Sequence, residues 1–263
     1  MPDDETPSGD ATTHPRETTP VTPRRARRAP RPGLRRTADG DADAAALRQR
    51  LAAVLTALEE VYGPAEPPRR VDPLDELVYT VLSQHSSDTN TDRTYASLRA
   101  TFGTWEAVRD APPSAIADAI RHGGLAEVKA PRLKSILERI TERCGRLDLS
   151  LLHDMELEEA RRFLLSLDGV GPKTAACVLL FACGKPALPV DTHVHRVSRR
   201  LGFIDARASA EEAHTVLEAL VPPEQVLAYH VHLIRHGRRV CKAPRPRCEA
   251  CVVSHLCPST ERR

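Results

Sequence analysis

Residues 167–175 read Leu-Asp-Gly-Val-Gly-Pro-Lys-Thr-Ala and lie between two stretches whose apolar residues follow helical spacing. Gly169 and Gly171, separated by Val170, allow a tight turn that larger side chains would obstruct. Pro172 then fixes the backbone for the first turn of the next helix. Such a turn exposes free N–H groups at a helix N-terminus, where the dipole favours an anion such as a phosphate. Taken alone, the pattern does not outweigh a plain corner between two helices.

Lys173 follows the two glycines in the first turn of the predicted helix. One interpretation is a further contact to a phosphate. The positive end of the helix dipole, however, disfavours the ammonium form of a lysine, and the free amine is a nucleophile capable of Schiff-base chemistry. Lys173 is therefore a candidate catalytic residue.

The second candidate, Asp191, follows Pro189-Val190, which predicts an extended segment. Asp191 is placed to cap the next helix, a contribution of about 1 kcal/mol. A capping carboxylate held by backbone N–H groups also provides a fixed negative charge, which can stabilise a developing positive charge or help activate an attacking group. On its own, the helix cap is the preferred interpretation.

The rest of the chain predicts an all-α fold. From residue 43 onward, apolar residues recur at spacings of three and four, and glycine or proline separates most of the segments. We expect helices at about 130–143 and 172–183, among others. Aromatic residues are only 3% of the chain, so the core must consist of Leu, Val, Ile and Ala. No stretch alternates with a period of two, and we therefore expect essentially no sheet.

Residues 1–42 are rich in Pro, Thr, Arg and Asp, and this composition predicts a disordered tail. Within it, residues 24–36 contain seven arginines and no acid, and residues 235–247 contain six Lys or Arg and no acid. Such clusters are typical of surfaces that bind phosphate backbones, although the first is also compatible with an inert solvated tail.

Four of the seven cysteines lie close together near the C-terminus, as Cys241, Cys248, Cys251 and Cys257. Four thiolates suit either zinc or an iron–sulfur cluster. A zinc ribbon usually has two C-x-x-C pairs, whereas this segment has one. Four free thiols are the least favoured interpretation, because exposed thiols oxidise.

These motifs together resemble the endonuclease III family of the helix-hairpin-helix DNA glycosylase/AP lyase superfamily, over about residues 43–258. The resemblance implies an enzyme of base excision repair that removes oxidised pyrimidines and cleaves the strand 3′ to the abasic site by β-elimination. In it, Lys173 would attack the sugar C1′ and Asp191 would assist departure of the base. The four cysteines of the C-terminal cluster would hold a 4Fe–4S cluster, since their spacing matches the family at all four positions.

The family fold implies two helical domains with a DNA-binding cleft between them. The first, at 70–185, would contain six helices and end in the helix-hairpin-helix motif, and the second would combine 43–66 with 186–258 and carry the cluster. Residues assigned to DNA binding by this resemblance are Gly169, Val170, Gly171, Gln84, His85 and Leu125. The last three would fill the gap that an extruded base leaves in the duplex. Counted from Asp88, the glutamine of the family's motif lies one position early, as Gln84, and His85 stands where the family has its usual wedge residue, the side chain that enters the gap.

Alternative functions remain at this stage. The same scaffold could act on ultraviolet-induced pyrimidine dimers, on mismatched bases or chiefly on abasic sites, or it could be a non-catalytic DNA-binding module. The presence of both Lys173 and Asp191 speaks against the last. The expected partner is double-stranded DNA with damaged bases or abasic sites. We expect a monomer in the cytoplasm, associated with the nucleoid, because the chain shows neither a secretory signal nor an apolar run of membrane-spanning length.

Overall fold

The structure is a computed structural model that describes residues 38–66 and 71–260, and its regular elements in those ranges are all helical. The eleven α-helices there are α1 (Ala38–Tyr62), α2 (Pro73–Ser83), α3 (Asp88–Phe102), α4 (Trp105–Asp110), α5 (Pro113–Ala119), α6 (Ala126–Cys144), α7 (Leu157–Leu165), α8 (Pro172–Cys177), α9 (Thr192–Arg200), α10 (Ala210–Leu220) and α11 (Val226–Arg239). The predicted all-α class is confirmed. None of these helices has the length and apolar character that crossing a membrane requires.

The predicted tail is wrong at its C-terminal end, because α1 begins at Ala38 rather than at residue 43. The alanines and aspartates of this segment explain the extension: alanine has the highest helix propensity, and acids are favourable near a helix N-terminus. The remainder of that tail, with its arginine-rich run at 24–36, lies outside the described residues.

Two hydrophobic clusters form the interior. The first hydrophobic cluster takes its residues from 74–187 and joins α2 to α8 through side chains such as Leu77, Leu133 and Leu164. The second hydrophobic cluster takes its residues from 51–58 and 180–253 and joins α1 to α9, α10 and α11. Each fully buried Leu, Ile or Val side chain stabilises the fold by about 1.5–3 kcal/mol, so each cluster is a sizeable core.

Helix α2 starts as the Asp-Pro pair at 72–73 predicts. The Oδ1 atom of Asp72 accepts hydrogen bonds from the N–H of Leu74 at 2.8 Å and of Asp75 at 3.2 Å, and Pro73 occupies the first helical position. The side chain thus satisfies N–H groups that have no partner inside the helix. This cap fixes the direction in which α2 enters the first hydrophobic cluster.

Two helices differ from the sequence expectation. Helix α6 begins at Ala126 instead of 130, and Pro131 lies inside it. The expected helix at 172–183 is α-helical only to Cys177 and continues as a π-helical turn, Val178–Ala182. The wider turn directs Leu179 into the first hydrophobic cluster and Leu180 into the second. Neither irregularity has a local sequence signal, because both depend on packing against other helices.

Candidate active site

Lys173 and Asp191 line the same cleft, which has a volume of about 960 Å³. The wall of this cleft comes from α2 and the loop after it, from α8, from the turn before α9, and from α11. Gln84 and His85 line it as well. The structure therefore brings together four of the residues that the sequence singles out, from three separate segments.

Asp191 caps α9, as its position predicts. Its Oδ1 atom accepts a hydrogen bond from the N–H of Val194 at 2.7 Å. The preceding turn is held by His230, whose Nδ1 atom lies 2.8 Å from the carbonyl oxygen of Pro189. Burial holds the pKa of His230 well below its usual range, although the charge of Asp191 opposes this shift. The ring is therefore neutral, and its Nδ1 must carry the proton because a carbonyl oxygen only accepts.

The glycine turn, residues 169–171, leads into α8 directly before Lys173. Gly169 has a φ of +86°, and a Cβ atom there would lie 2.6 Å from Cδ of Arg132. Both the backbone and the packing therefore require glycine at this position. Val170 is buried in the first hydrophobic cluster and anchors the turn. At Gly171 the φ is −92°, and an added Cβ would meet no atom within 4 Å.

The two loops with predicted wedge residues share an unusual backbone conformation. In the described ranges, His85 and Leu125 are the only non-glycine residues with a positive φ, at 54° each. Leu125 is 53% exposed, which is unusual for a leucine, and it lies outside the residues that line the cleft. His85 is exposed. Non-glycine residues adopt this conformation at a cost of about 1–3 kcal/mol, and such strain is often found at functional sites.

Gln84 differs from its neighbour, because its side chain is bonded within the protein. Its Oε1 atom accepts a hydrogen bond from Arg132 at 3.0 Å, and its Nε2 atom donates to Oγ1 of Thr174 at 3.4 Å. These contacts connect the loop after α2 to α6 and α8. Of the two residues, His85 is therefore the one whose side chain is available to a ligand.

The four C-terminal cysteines line one cavity of about 110 Å³. The Sγ atom of Cys241 accepts a hydrogen bond from Arg200 at 3.3 Å, and Sγ of Cys251 lies 3.5 Å from Nε2 of His236. Nowhere in residues 38–66 and 71–260 are three His, Cys, Asp or Glu side chains arranged to hold a single metal ion. The donor set around the cavity fits a cofactor that takes four thiolates, and the nearby guanidinium offsets part of their charge.

The cleft also contains functional candidates that the sequence analysis missed. Glu76 on α2 lines it near Lys173, and Arg238 on α11 forms a bidentate ion pair with Asp88 at 2.6 and 2.9 Å. For Glu76 a signal existed in the sequence: polar residues at 76, 80 and 83 follow helical spacing, while most other residues of the helix are apolar. The ion pair between α3 and α11 had no such signal.

The family model described as "HhH-GPD superfamily base excision DNA repair protein" matches residues 78–223 of this chain. The chain belongs to this superfamily. Among the solved structures similar to this HhH-GPD protein is a non-covalent endonuclease III–DNA complex, with 29% identity and a TM-score of 0.72 over 82% of this chain and 97% of that one. A trapped endonuclease III–DNA covalent intermediate is similar at 29% identity, with a TM-score of 0.70 over 82% and 98%.

Curated relatives place the HhH-GPD protein near endonuclease III. Endonuclease III of Thermotoga maritima is 37% identical over 74% of this chain and 87% of its own length, and that of Escherichia coli is 34% identical over 72% and 85%. A putative DNA glycosylase of Arabidopsis thaliana, At3g47830, is 39% identical over 63% of this chain. The match spans only 56% of that plant protein. The resemblance to the endonuclease III family is confirmed, and the chain is an endonuclease III-like enzyme of base excision repair.

Proposed function

We propose that this HhH-GPD protein is a bifunctional DNA glycosylase and AP lyase, which acts as a monomer on oxidised pyrimidines in double-stranded DNA. The observation that supports this most is the joint placement of Lys173 and Asp191 in one cleft. A nucleophilic amine and a fixed carboxylate are the two groups that a Schiff-base glycosylase needs. Endonuclease III–DNA complexes among the similar structures support DNA as the partner.

In the proposed reaction, the amine of Lys173 attacks C1′ while the bond from C1′ to the base breaks. The carboxylate of Asp191, held by Val194, stabilises the positive charge that develops on the sugar. Opening of the sugar ring then gives a Schiff base between Lys173 and C1′. The iminium acidifies the C2′ proton, and its loss expels the 3′ phosphate, which cleaves the strand.

Binding of the duplex rests on the glycine turn and the two strained loops. Because Gly171 has open space where a side chain would be, the DNA backbone can approach the N–H groups of the turn. We propose that His85 and Leu125 fill the gap left by the extruded nucleotide, with Gln84 supporting the first loop from inside. The exposed positions and positive φ of the first two support this assignment.

We further propose that Cys241, Cys248, Cys251 and Cys257 hold a 4Fe–4S cluster, which supplies a rigid cross-link of the C-terminal segment when bound. Cys257 lies next to the carbonyl of Arg200, at 3.2 Å, so the cross-link would attach this segment to the end of α9. The basic residues between the first two ligands would then be fixed against DNA phosphates.

The first test is borohydride trapping of the purified protein on duplex DNA with an abasic site. We expect a covalent adduct that Lys173→Gln abolishes and that Lys134→Gln retains. Lys134 is a matched control, because it pairs with Glu138 on α6 and does not line the cleft. Absence of an adduct from well-folded wild-type protein would contradict the lyase proposal and favour a glycosylase without lyase activity or a binding module.

The preferred lesion is decided by a panel of duplexes carrying an oxidised pyrimidine, a pyrimidine dimer, a mismatched base or an abasic site. Single-turnover excision should be fastest on the oxidised pyrimidine. A faster reaction on one of the other duplexes would assign the same scaffold to that substrate instead.

A further inference from the structure

Helix α2 has a polar stripe that faces the cleft. Leu74, Leu77, Val78, Val81 and Leu82 bury the rest of the helix in the first hydrophobic cluster. The stripe consists of Glu76, Tyr79, Thr80 and Ser83, all of which line the cleft. Glu76 lies in the first turn of α2 and is the carboxylic acid of this stripe, so its place in the cleft that also contains Lys173 makes it a functional candidate.

Glu76 is half-buried in the wall of the cleft. Its Oε1 atom accepts a hydrogen bond from Oγ1 of Thr80 at 2.9 Å, and Thr80 itself is only 2% exposed. Burial raises the pKa of Glu76 to about 7, and the Thr80 hydrogen bond and the charge of Lys173 offset only part of that shift. The protonated acid is therefore well populated at neutral pH.

The position of Glu76 relative to Lys173 determines which part of the substrate its carboxyl group can contact. In the proposed reaction Lys173 attacks C1′, and the base that leaves is bonded to that same carbon. The base would therefore leave within the cleft that contains Lys173, and α2 with its polar stripe forms one wall of that cleft. Asp191 already accepts a backbone hydrogen bond as the cap of α9.

We propose that Glu76 is a catalytic acid that protonates the departing base, an inference that rests on the proposed glycosylase function. Its carboxyl O–H gives the proton to an oxygen or ring nitrogen of the base, and the electrons of the C1′–N bond pass to the base. The lone pair of Lys173 forms the new bond to C1′. The carboxylate of Glu76 then takes the proton that the alkylated nitrogen of Lys173 releases, which restores the acid.

Other charged and titratable groups surround this site. The other charged and titratable groups that line the cleft are Tyr79, His85, Asp88, Lys173, Cys177, Asp191, His193, His195, His230 and Arg238. Burial raises the pKa of Cys177 to about 11 and lowers that of His193 and His230. The proposal predicts a loss of activity as the pH rises through 7, and the variant without the carboxyl should lack this loss, which separates Glu76 from the histidines of the cleft.

The test compares Glu76→Gln with the wild-type protein on two substrates. Glutamine keeps the size of the side chain and the acceptor for Thr80, but it cannot donate a proton as a carboxylic acid does. On the fastest lesion duplex of the panel, we expect single-turnover base release to fall by about 100-fold. On a duplex with a preformed abasic site, where no base has to be protonated, the rate of borohydride trapping should fall far less than the rate of base release. Glu106→Gln, an exposed control on α4, should match the wild type on both.

Three results would overturn the proposal. One is base release by Glu76→Gln within twofold of the wild type, and another is an equal loss on both substrates, which indicates a structural role. The third is a wild-type rate of base release that does not decline above pH 7 relative to the variant. Failure of the proposed lyase function can be distinguished from failure of this proposal. In the first case the wild-type protein would form no borohydride adduct, while the rates of base release by the wild type and by Glu76→Gln could still be compared.

Discussion

Gly169 and Gly171 in the glycine turn are glycines for different reasons. At Gly169 the protein itself requires one, since the φ is positive and Arg132 occupies the space of a side chain. At Gly171 the backbone angles suit any residue and no protein atom lies nearby. We therefore propose that the second glycine leaves room for a ligand, which in the proposed function is the DNA backbone.

Alanine substitutions separate these two reasons. We expect Gly169→Ala to lower the free energy of unfolding by at least about 1 kcal/mol, because of the positive φ and the contact with Arg132. Gly171→Ala should change it by less than about 0.5 kcal/mol, as surface substitutions usually do, yet weaken binding to abasic duplex DNA by at least about tenfold. Urea denaturation and fluorescence anisotropy measure the two effects. Wild-type DNA affinity of Gly171→Ala would contradict the proposed approach of the backbone.

Helix α6 joins the two loops that carry the proposed wedge residues through one buried cation. Lys129 is 2% exposed, and its Nζ atom donates to the carbonyl oxygens of Leu82 at 2.7 Å and Gly123 at 3.1 Å. Burial lowers the pKa of Lys129. Each of these carbonyls lies within three residues of a wedge residue, His85 in one loop and Leu125 in the other. The helix therefore fixes the spacing of both loops.

We expect Lys129→Met to loosen both loops together, because each carbonyl loses its donor while the apolar packing of the stem remains. Hydrogen–deuterium exchange should rise in residues 83–86 and 124–128 and stay unchanged in the glycine turn. Base release should fall by at least about tenfold, since misplaced groups have effects of that size or larger. Lys134→Met on the same helix is the control. Unchanged exchange in either loop would show that Lys129 does not hold them.

At the scale of the whole molecule, the described part of the chain contributes first to the second hydrophobic cluster, then to the first, and then again to the second. The two are connected by the π-helical turn after α8 and, across the cleft, by the ion pair of Asp88 with Arg238. The cysteine cavity borders the second cluster through Val197 and Leu201, and nearby Cys257 and Ser259 contact the carbonyl of Arg200. A cofactor there would stabilise the half of the molecule that carries Asp191.

Protein purified without oxygen should therefore contain iron and acid-labile sulfide in equal amounts. Cys257→Ser should lose both and lower the thermal stability of the molecule, because the C-terminal segment is no longer cross-linked to α9. Cys144→Ser, a half-buried cysteine outside the cavity, should retain the iron. Stoichiometric zinc in place of iron would contradict the cluster proposal.

The sequence by itself determined the features that depend on a few neighbouring residues. The glycine turn, the cap by Asp191, the start of α2 at Asp72 and the all-α class follow from backbone preferences and short-range hydrogen bonds. The resemblance to the endonuclease III family, which the comparisons confirm, also rests on such local motifs.

Tertiary structure alone decided which distant groups share an environment. Lys129 reaches a carbonyl 47 residues away, and Glu76 acquires its raised pKa only because other helices bury it beside Lys173. The π-helical turn and the early start of α6 likewise arise from packing. Burial and long-range contacts depend on how all helices are arranged, and no short stretch of sequence contains that information.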